Sequence, residues 1–179
     1  MKQLLNDIQT RLKTEIPTLF VDEDWGQLDY FMPSAPVKYP CALINIAAID
    51  YQTLGRKLQH AVATVVITVA DVKFTNTSSN APVLQKQNAW KVYDTILEIY
   101  QTLQGWCAGL SPAPSGTGMV GAYGPITRTK MARRKNDDGI NLFDLYFDVA
   151  IRDDSAMHPR QRHSPVTIEI EGPEIVLPV

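Results

Sequence analysis

The chain has 179 residues, a formal net charge of −2 and a composition that is 45% hydrophobic and 20% charged, which is ordinary for one globular domain with or without a tail. The slight acidity argues against non-specific affinity for nucleic acid. No segment approaches the ~20 apolar residues that span a membrane, and the charged N-terminus lacks the apolar core of a secretion signal, so we expect a soluble protein that is not exported.

The N-terminal segment MKQLLNDIQTRLKTEIP predicts an amphipathic helix that ends at Pro17. A short strand over 18–21 should follow. The acidic run 22–24 lacks the alternating ligands and the distant glutamate of a calcium loop, so a solvated turn is favoured, with Trp25 as an anchor. The apolar positions of the helix are Leu4, Leu5, Ile8, Leu12 and Ile16.

Three prolines, Pro33, Pro36 and Pro40, make 30–40 an extended connection, since proline excludes a helix and disfavours a central strand. Tyr30 and Phe31 in this segment belong to residue types that are enriched at protein interfaces. Packing of the segment on its own domain is favoured, and contact with a neighbouring subunit stays open.

Two strands, 41–51 and 58–72, are predicted to pair as an antiparallel hairpin. The second is rich in β-branched residues and should be the central strand of the sheet. One of its faces should carry a layer of helices, whereas the other tolerates polar neighbours. The first face consists of Ala61, Ala63, Val65, Ile67 and Val69.

A long helix is predicted to start near Pro82 and to end at Gly105, lying on the face that contains Val65, Ile67 and Val69. We interpret its aromatic stripe as core packing rather than as a ligand site. The stripe consists of Val83, Trp90, Tyr93, Leu97, Tyr100 and Leu103, widened by Ala89, Ile96 and Ile99.

The segment 106–125 holds five glycines and three prolines, which predicts a flexible loop without regular structure. Its stretch GTGMVG fits G-x-G-x-x-G, but no strand leads into it and no helix follows, so a nucleotide site is rejected and no cofactor is predicted. Tyr123 lies in this loop. Loops of this length are commonly functional or mobile.

A basic strand over 126–135 and a strand over 140–153 are predicted to form a second hairpin, joined by the turn Asn-Asp-Asp-Gly. Asp144 and Asp148 could pair across the hairpin with cations of the basic strand. A functional basic surface is the equally weighted alternative, because two acids cannot match all of the cations. Four of these cations are Arg128, Lys130, Arg133 and Arg134.

Together these elements predict an α+β fold, with a single antiparallel β-sheet and two helices packed on one face. Residues 1–153 should form this domain and 154–179 an extended C-terminal tail. Within the tail, 166–170 alternates like an edge strand.

Several features together resemble phage and prophage tail proteins, of the tail-terminator or tail-completion kind known from lambda minor tail and Mu-like types. They are WGQL at 25–28, the prolines that lead to PCALI at 40–44, the Ala81-Pro82 helix start and the basic strand with its Asp138-Gly139 turn. The resemblance covers about residues 1 to 153.

The resemblance implies a structural protein without catalytic residues, cofactor or metal. It implies a ring, with a hexamer as the expected form, that caps the tail tube and contacts the head-tail connector, and DNA would only pass through its lumen. Such a protein would assemble in the bacterial cytoplasm and remain in the virion tail. The expected interface residues are Tyr30, Phe31 and Tyr123 in the two loops, and Arg128, Lys130, Arg133 and Arg134 in the basic strand.

Two other functions compete with this interpretation. A nucleic-acid-binding accessory factor could use 126–135, although no reader module surrounds it. A hydrolase is disfavoured, because no G-x-S-x-G is present and no residue orients the histidines. Cys41 and Cys107 lack metal-type spacing, so two reduced, buried thiols are predicted rather than a disulfide.

Overall fold

The structure, a computed structural model, describes residues 2–30, 36–55, 58–72, 77–107, 111–112, 119–120, 123–134 and 139–153. Phe31 and the predicted tail, 154–179, lie outside these residues. The fold is α+β. In chain order its elements are α1 (Lys2–Glu15), β1 (Phe20–Glu23), α2 (Gln27–Tyr30), β2 (Cys41–Thr53), β3 (Gln59–Val72), α3 (Val83–Leu103), β4 (Ser111–Pro112), β5 (Met119–Val120), β6 (Thr127–Arg134) and β7 (Ile140–Asp153).

Five strands form one mixed sheet in the order β1-β2-β3-β7-β6. The pairs β2–β3, β3–β7 and β6–β7 are antiparallel. Strand β1 runs parallel to β2, from Phe20 opposite Cys41 to Glu23 opposite Ile44, so the predicted purely antiparallel sheet is wrong at this edge. The segment that joins the two strands is long enough for the crossover that a parallel pair needs, and the residues of β1 do not distinguish the two directions.

A second small sheet pairs β4 with β5, with Ser111 opposite Val120. The sequence predicted one sheet and an irregular loop over 106–125, so this pair is a second correction. Each strand has only 2 residues, which fits a segment whose glycines and prolines interrupt any longer ladder.

The helix-bearing face of the sheet holds the main core. Strand β3 lies at the centre of the sheet, as predicted, and its five residues on this face are buried against the side chains of α1 and α3. In α1 the helical spacing of Leu4, Ile8 and Leu12 places all three in this core. The Ile16 amide still donates to the Leu12 carbonyl at 2.8 Å, and Pro17 prevents any continuation.

Helix α3 lies on the predicted face of the sheet but is rotated from the predicted orientation. Its buried residues are Ala89, Val92, Ile96, Ile99 and Leu103. The aromatic residues that were expected to face the core lie on the flank of the helix instead. At its end Gly105 adopts φ +75° and donates its amide to the Ile126 carbonyl at 2.8 Å, which turns the chain away from the helix.

The opposite face of the sheet carries a smaller buried cluster at one end, to which Val37 and Tyr39 add partly buried side chains. This part of the proline-rich connection packs on its own domain, which was the favoured alternative. Trp25, the expected anchor, is half exposed instead. The cluster itself consists of Leu28, Cys41, Leu43, Ala70 and Leu142.

Candidate interaction surface

Strand β6 is an edge strand of the five-stranded sheet and brings the four predicted cations into one row. Its sequence, TRTKMARR, contains no carboxylate. Side chains of a strand alternate between faces, but a register shift between Arg128 and Lys130 interrupts the alternation, so the cations divide between the two sides of the sheet. Arg128 and Arg133 lie on the helix side, and Lys130 and Arg134 lie on the opposite side.

On the helix side, the cations lie against aromatic rings. The Arg128 guanidinium lies 3.8 Å from the centre of the Tyr100 ring of α3. The Arg133 guanidinium lies 5.6 Å from the centre of the Phe143 ring, and its Nη2 donates to Asn141 Oδ1 at 3.1 Å. Both distances suit attraction between a cation and the face of a ring. These contacts position the two charges without neutralising them.

On the opposite side, Arg134 is held in a polar network. Its Nε lies 3.1 Å from Asp144 Oδ2, and its Nη2 donates to Thr68 Oγ1, which in turn donates to Asp144. Asp29 of α2 adds a second carboxylate, with its Oδ1 at 3.6 Å from Arg134 Nη1. The predicted pairing of Asp144 with the basic strand is therefore confirmed. Asp148 instead accepts a hydrogen bond from Thr64, and none of the described cations pairs with it.

An exposed apolar stripe runs along α3 beside this strand. Trp90, Tyr93 and Leu97 are 50%, 45% and 51% exposed, and Val83 continues the stripe towards the start of the helix. Val83, Trp90 and Leu97 recur every seven residues, a spacing that keeps side chains on one line of a helix. That spacing was the signal that could have identified the stripe from the sequence.

The stripe and strand β6 form one continuous surface, which we call the α3–β6 surface. The Tyr93 ring meets the Phe143 ring edge-on, with 5.4 Å between their centres. Trp90, Tyr93 and Arg133 line one cavity of about 100 Å³. Met131 adds a half-exposed side chain from β6. The surface thus combines Trp, Tyr, Met and Arg, the residue types that interface centres favour.

The remaining predicted interface residues are Tyr30, Phe31 and Tyr123. Tyr30 ends α2, and Phe31 lies outside the described residues. Tyr123 is 8% exposed and belongs to the main core, so its ring packs within this chain. The structure thus brings the four cations together, but it does not bring Tyr123 to their surface.

A larger cavity, of about 460 Å³, lies between the end of α1 and α3. Its charged lining residues include Arg11 and Glu15, which pair with each other at 2.8 Å, and Glu98. The Arg11 guanidinium also lies 5.8 Å from the centre of the Trp106 ring. Arg11 is therefore engaged within its own domain.

The groups that could perform chemistry are few in the part of the chain that the structure describes. No three His, Cys, Asp or Glu side chains there form a group that could hold a metal ion. Both cysteines are free, but only Cys41 is buried, and Cys107 is half-buried, so the prediction of two buried thiols is wrong for Cys107. Burial raises the pKa of the Cys41 thiol to about 12, which keeps it protonated and poorly nucleophilic at neutral pH.

The acidic run 22–24 was predicted to be a turn, but Asp22 and Glu23 belong to β1, and only Asp24 lies in the turn that follows the strand. The buried Gln27 side chain donates to Asp22 Oδ2 at 3.2 Å and to the Glu23 carbonyl at 2.7 Å, while Asp24 Oδ1 accepts from the Gly26 amide at 3.0 Å. The Glu23 side chain is exposed. Among the described helices, none combines the length and the apolar character needed to cross a membrane.

Comparisons with known proteins give little further identification. No protein-family model matches the chain, and no curated protein matches it. Among solved structures, the chain is similar to a protein of the "Virion of native gene transfer agent (GTA) particle". The two share 14% sequence identity at a TM-score of 0.47, over 85% of this chain and 96% of that chain. At this TM-score the likeness carries no argument about function.

Proposed function

We propose that this protein is a structural component of a phage or phage-like tail. In this proposal, copies of the chain assemble into a ring of the tail-terminator or tail-completion type, with a hexamer as the expected form, at the head-proximal end of the tail tube. The ring contacts the tube protein and the head-tail connector. It forms in the bacterial cytoplasm and remains in the virion. The order of elements along the chain suggests a tail protein. The exposed α3–β6 surface is the main structural support for assembly with a protein partner.

Exposure of the apolar stripe to water is unfavourable, and a bound partner would remove that exposure. Trp90, Tyr93 and Leu97 are each about half exposed on one side of a single helix. Complete burial of a large apolar side chain gains about 1.5–3 kcal/mol relative to exposure. A contiguous apolar patch of this kind marks a protein interaction site more often than a bare surface.

The charges of β6 favour a protein partner over DNA. Arg134 is balanced by Asp144 and Asp29, so it adds little to a positive field. Arg128 and Arg133 lie against aromatic rings at the border of the apolar stripe. DNA binding draws on many phosphate contacts by free cations, whereas this surface mixes cations with half-exposed Trp, Tyr and Met.

A paired set of variants tests the proposal. Trp90→Glu with Leu97→Glu places two carboxylates in the apolar stripe, and Gln85→Glu with Asn88→Asp places two carboxylates at exposed positions of the same helix outside the stripe. Light scattering and native mass spectrometry over a range of concentrations report the oligomeric state, alone and with a phage tail-tube protein. Circular dichroism checks that each variant is folded.

The wild type and the control variant with Gln85→Glu and Asn88→Asp should assemble, alone or on the tube protein, and the stripe variant should not. A wild type that stays monomeric in both conditions would exclude the proposal. Fluorescence anisotropy with labelled duplex and single-stranded DNA, at low and at physiological salt, completes the test. Tight DNA binding that Lys130→Glu with Arg133→Glu abolishes, in a chain that never assembles, would favour the nucleic-acid function instead.

A further inference from the structure

The two edges of the main sheet carry opposite charge. At one edge, β1 and β2 contain Asp22, Glu23 and Asp50 and no Lys or Arg. At the other edge, β6 contains four cations and no Asp or Glu. The sheet order separates these strands by β3 and β7. The sheet therefore has an acidic edge, β1 with β2, and a basic edge, β6.

Both edges offer backbone that no described strand pairs with. Strand β1 covers β2 only from Cys41 to Ile44, so the remaining nine of the 13 residues of β2 have no described strand on their outer side. The basic edge, with 8 residues, is of similar length. Unpaired edges are templates for a strand of another chain.

Exposed charges at the two edges have no partner of opposite charge within the described residues, although Arg133 donates to Asn141. Glu23 and Asp50 are exposed on the acidic edge, and Lys130 and Arg133 are exposed on the basic edge. No ion pair within the described residues involves any of the four. Each edge also exposes apolar groups, with Tyr51 at 48% and Leu54 at 65% at the end of β2, and Met131 on β6.

Charge selects which edges can meet. Two basic edges placed together would set rows of cations against each other, and two acidic edges would do the same with carboxylates. Like charges in contact oppose association and act as a device for specificity. A symmetric dimer through either edge is therefore disfavoured, whereas contact between unlike edges is favoured. A contact between two different patches of identical chains repeats head to tail, and it closes into a ring where the rotation permits.

We infer that the acidic edge of one copy docks on the basic edge of the next, with Glu23 and Asp50 facing the cations that include Lys130 and Arg133. This inference rests on the proposed self-assembly and assigns the two surfaces that meet. The apolar groups beside each edge exclude water from the contact. The carboxylates and cations fix its register and its direction around the ring.

Complementary charge reversal tests this assignment in the full chain. The first variant carries Lys130→Glu with Arg133→Glu, so β6 keeps only Arg128 and Arg134 as cations, and two carboxylates face the acidic edge of the next copy. The second carries Glu23→Lys with Asp50→Lys, and its two edges are then both basic. Each variant alone should lose assembly at concentrations where the wild type assembles, with at least a tenfold weaker self-association, which corresponds to about 1.4 kcal/mol. An equimolar mixture should assemble again, because each edge then meets an unlike edge.

Native mass spectrometry of the mixture should show rings that contain the two variants in equal number. All four substitutions in one chain should also restore assembly. A control variant, Lys2→Glu with Lys91→Glu, makes the same change of net charge at exposed positions away from both edges and should assemble like the wild type. Circular dichroism confirms folding of every variant.

Failure of this assignment differs from failure of the proposed function. If the wild type assembles and both variants also assemble alone, or if their mixture stays dissociated, the edges are not the contact, although the ring remains. If the control variant dissociates as well, total charge rather than the edges governs assembly, and the assignment is again wrong. A wild type that never assembles removes both proposals.

Discussion

Helices α1 and α3 cover the same face of the sheet, but they use their apolar residues differently. In α1 the apolar residues at helical spacing, Leu4, Ile8 and Leu12, all enter the core. In α3 the core takes the side that contains Ala89 and Val92, and Trp90 and Leu97 remain half exposed. Helix α1 therefore buries its apolar side in the core, whereas α3 leaves part of its apolar surface exposed to solvent.

The difference follows from side-chain size. Helix α3 rests on the sheet through aliphatic residues rather than aromatic ones, namely Ala89, Val92, Ile96, Ile99 and Leu103. Bulky rings at those positions would hold the helix away from the sheet and leave voids. Tyr93 and Tyr100 instead extend sideways over β6 and β7, where they meet Phe143 and Arg128. An aromatic stripe on a helix thus does not by itself identify the buried side.

The largest expected effect is on the free energy of unfolding, and it should distinguish the core residues of the two helices from the residues of the stripe. Leu12→Ala in α1 and Leu103→Ala in α3 each remove a fully buried side chain and should each lower the free energy of unfolding by about 2–5 kcal/mol. Leu97→Ala in the stripe should change it by no more than about 0.5 kcal/mol. Urea unfolding of dilute protein measures all three. Similar losses for Leu97 and Leu103 would show that the stripe is part of the core.

A smaller effect on stability is expected where the Arg134 network fixes strand β6 on the face of the sheet opposite α3. Asp144→Ala leaves Arg134 and Thr68 without their shared acceptor and should lower the free energy of unfolding by about 1–3 kcal/mol. Asp148→Ala is the matched control, because Asp148 accepts from Thr64 alone among the described side chains and is less buried. It should cost less in the same urea titration. Equal costs would contradict the special role of the Arg134 network.

The aromatic contact between α3 and the sheet should contribute less to stability than the Arg134 network does. Tyr93→Leu removes the edge-on contact with Phe143 and should cost about 0.5–1.5 kcal/mol beyond any loss of buried area. Trp90→Leu, one helical turn away and equally exposed, has no ring contact of this kind among the described residues and should leave unfolding nearly unchanged. A reversed order in thermal unfolding would mean that Trp90, rather than Tyr93, attaches the flank of the helix.

Much of the fold could be predicted from the sequence because local patterns dictate it. Helix α1 follows from apolar spacing and a terminating proline, and β7 was predicted with its observed limits, Ile140 and Asp153, because it alternates and begins after a turn at Gly139. The direction of β1 could not be predicted, since pairing direction depends on the path of residues 24–40 rather than on the strand itself. The row of cations on β6 was visible in the sequence.

The apolar half of the candidate surface was missed for a different reason. Apolar spacing identifies an arc of the helix, but the arc of α3 is wider than the part that the sheet covers. Which part is buried depends on the volumes of the opposing side chains. The sequence therefore predicted Trp90 and Tyr93 in the core, whereas both border the basic strand.

The smallest expected effect on stability comes from the part of the core next to α1, and it appears only at alkaline pH. Tyr123 is buried there, and its burial, reinforced by the nearby carboxylate of Asp7, raises the pKa of its phenol above the ordinary value of about 10. The folded state therefore holds this proton more tightly than the unfolded state does. The contribution of the group to stability is complete below pH 10 and is lost as the pH rises through the folded pKa.

Tyr123→Phe should remove this dependence, because phenylalanine has no proton to lose. The free energy of unfolding, measured in urea at intervals from pH 8 to pH 11, should therefore fall less steeply for the variant than for the wild type. Tyr39 and Cys41 also have raised pKa values, so both proteins should lose some stability in alkali, and the difference between the two curves isolates Tyr123. Parallel curves would place the Tyr123 phenol in contact with water and would contradict its packing against α1.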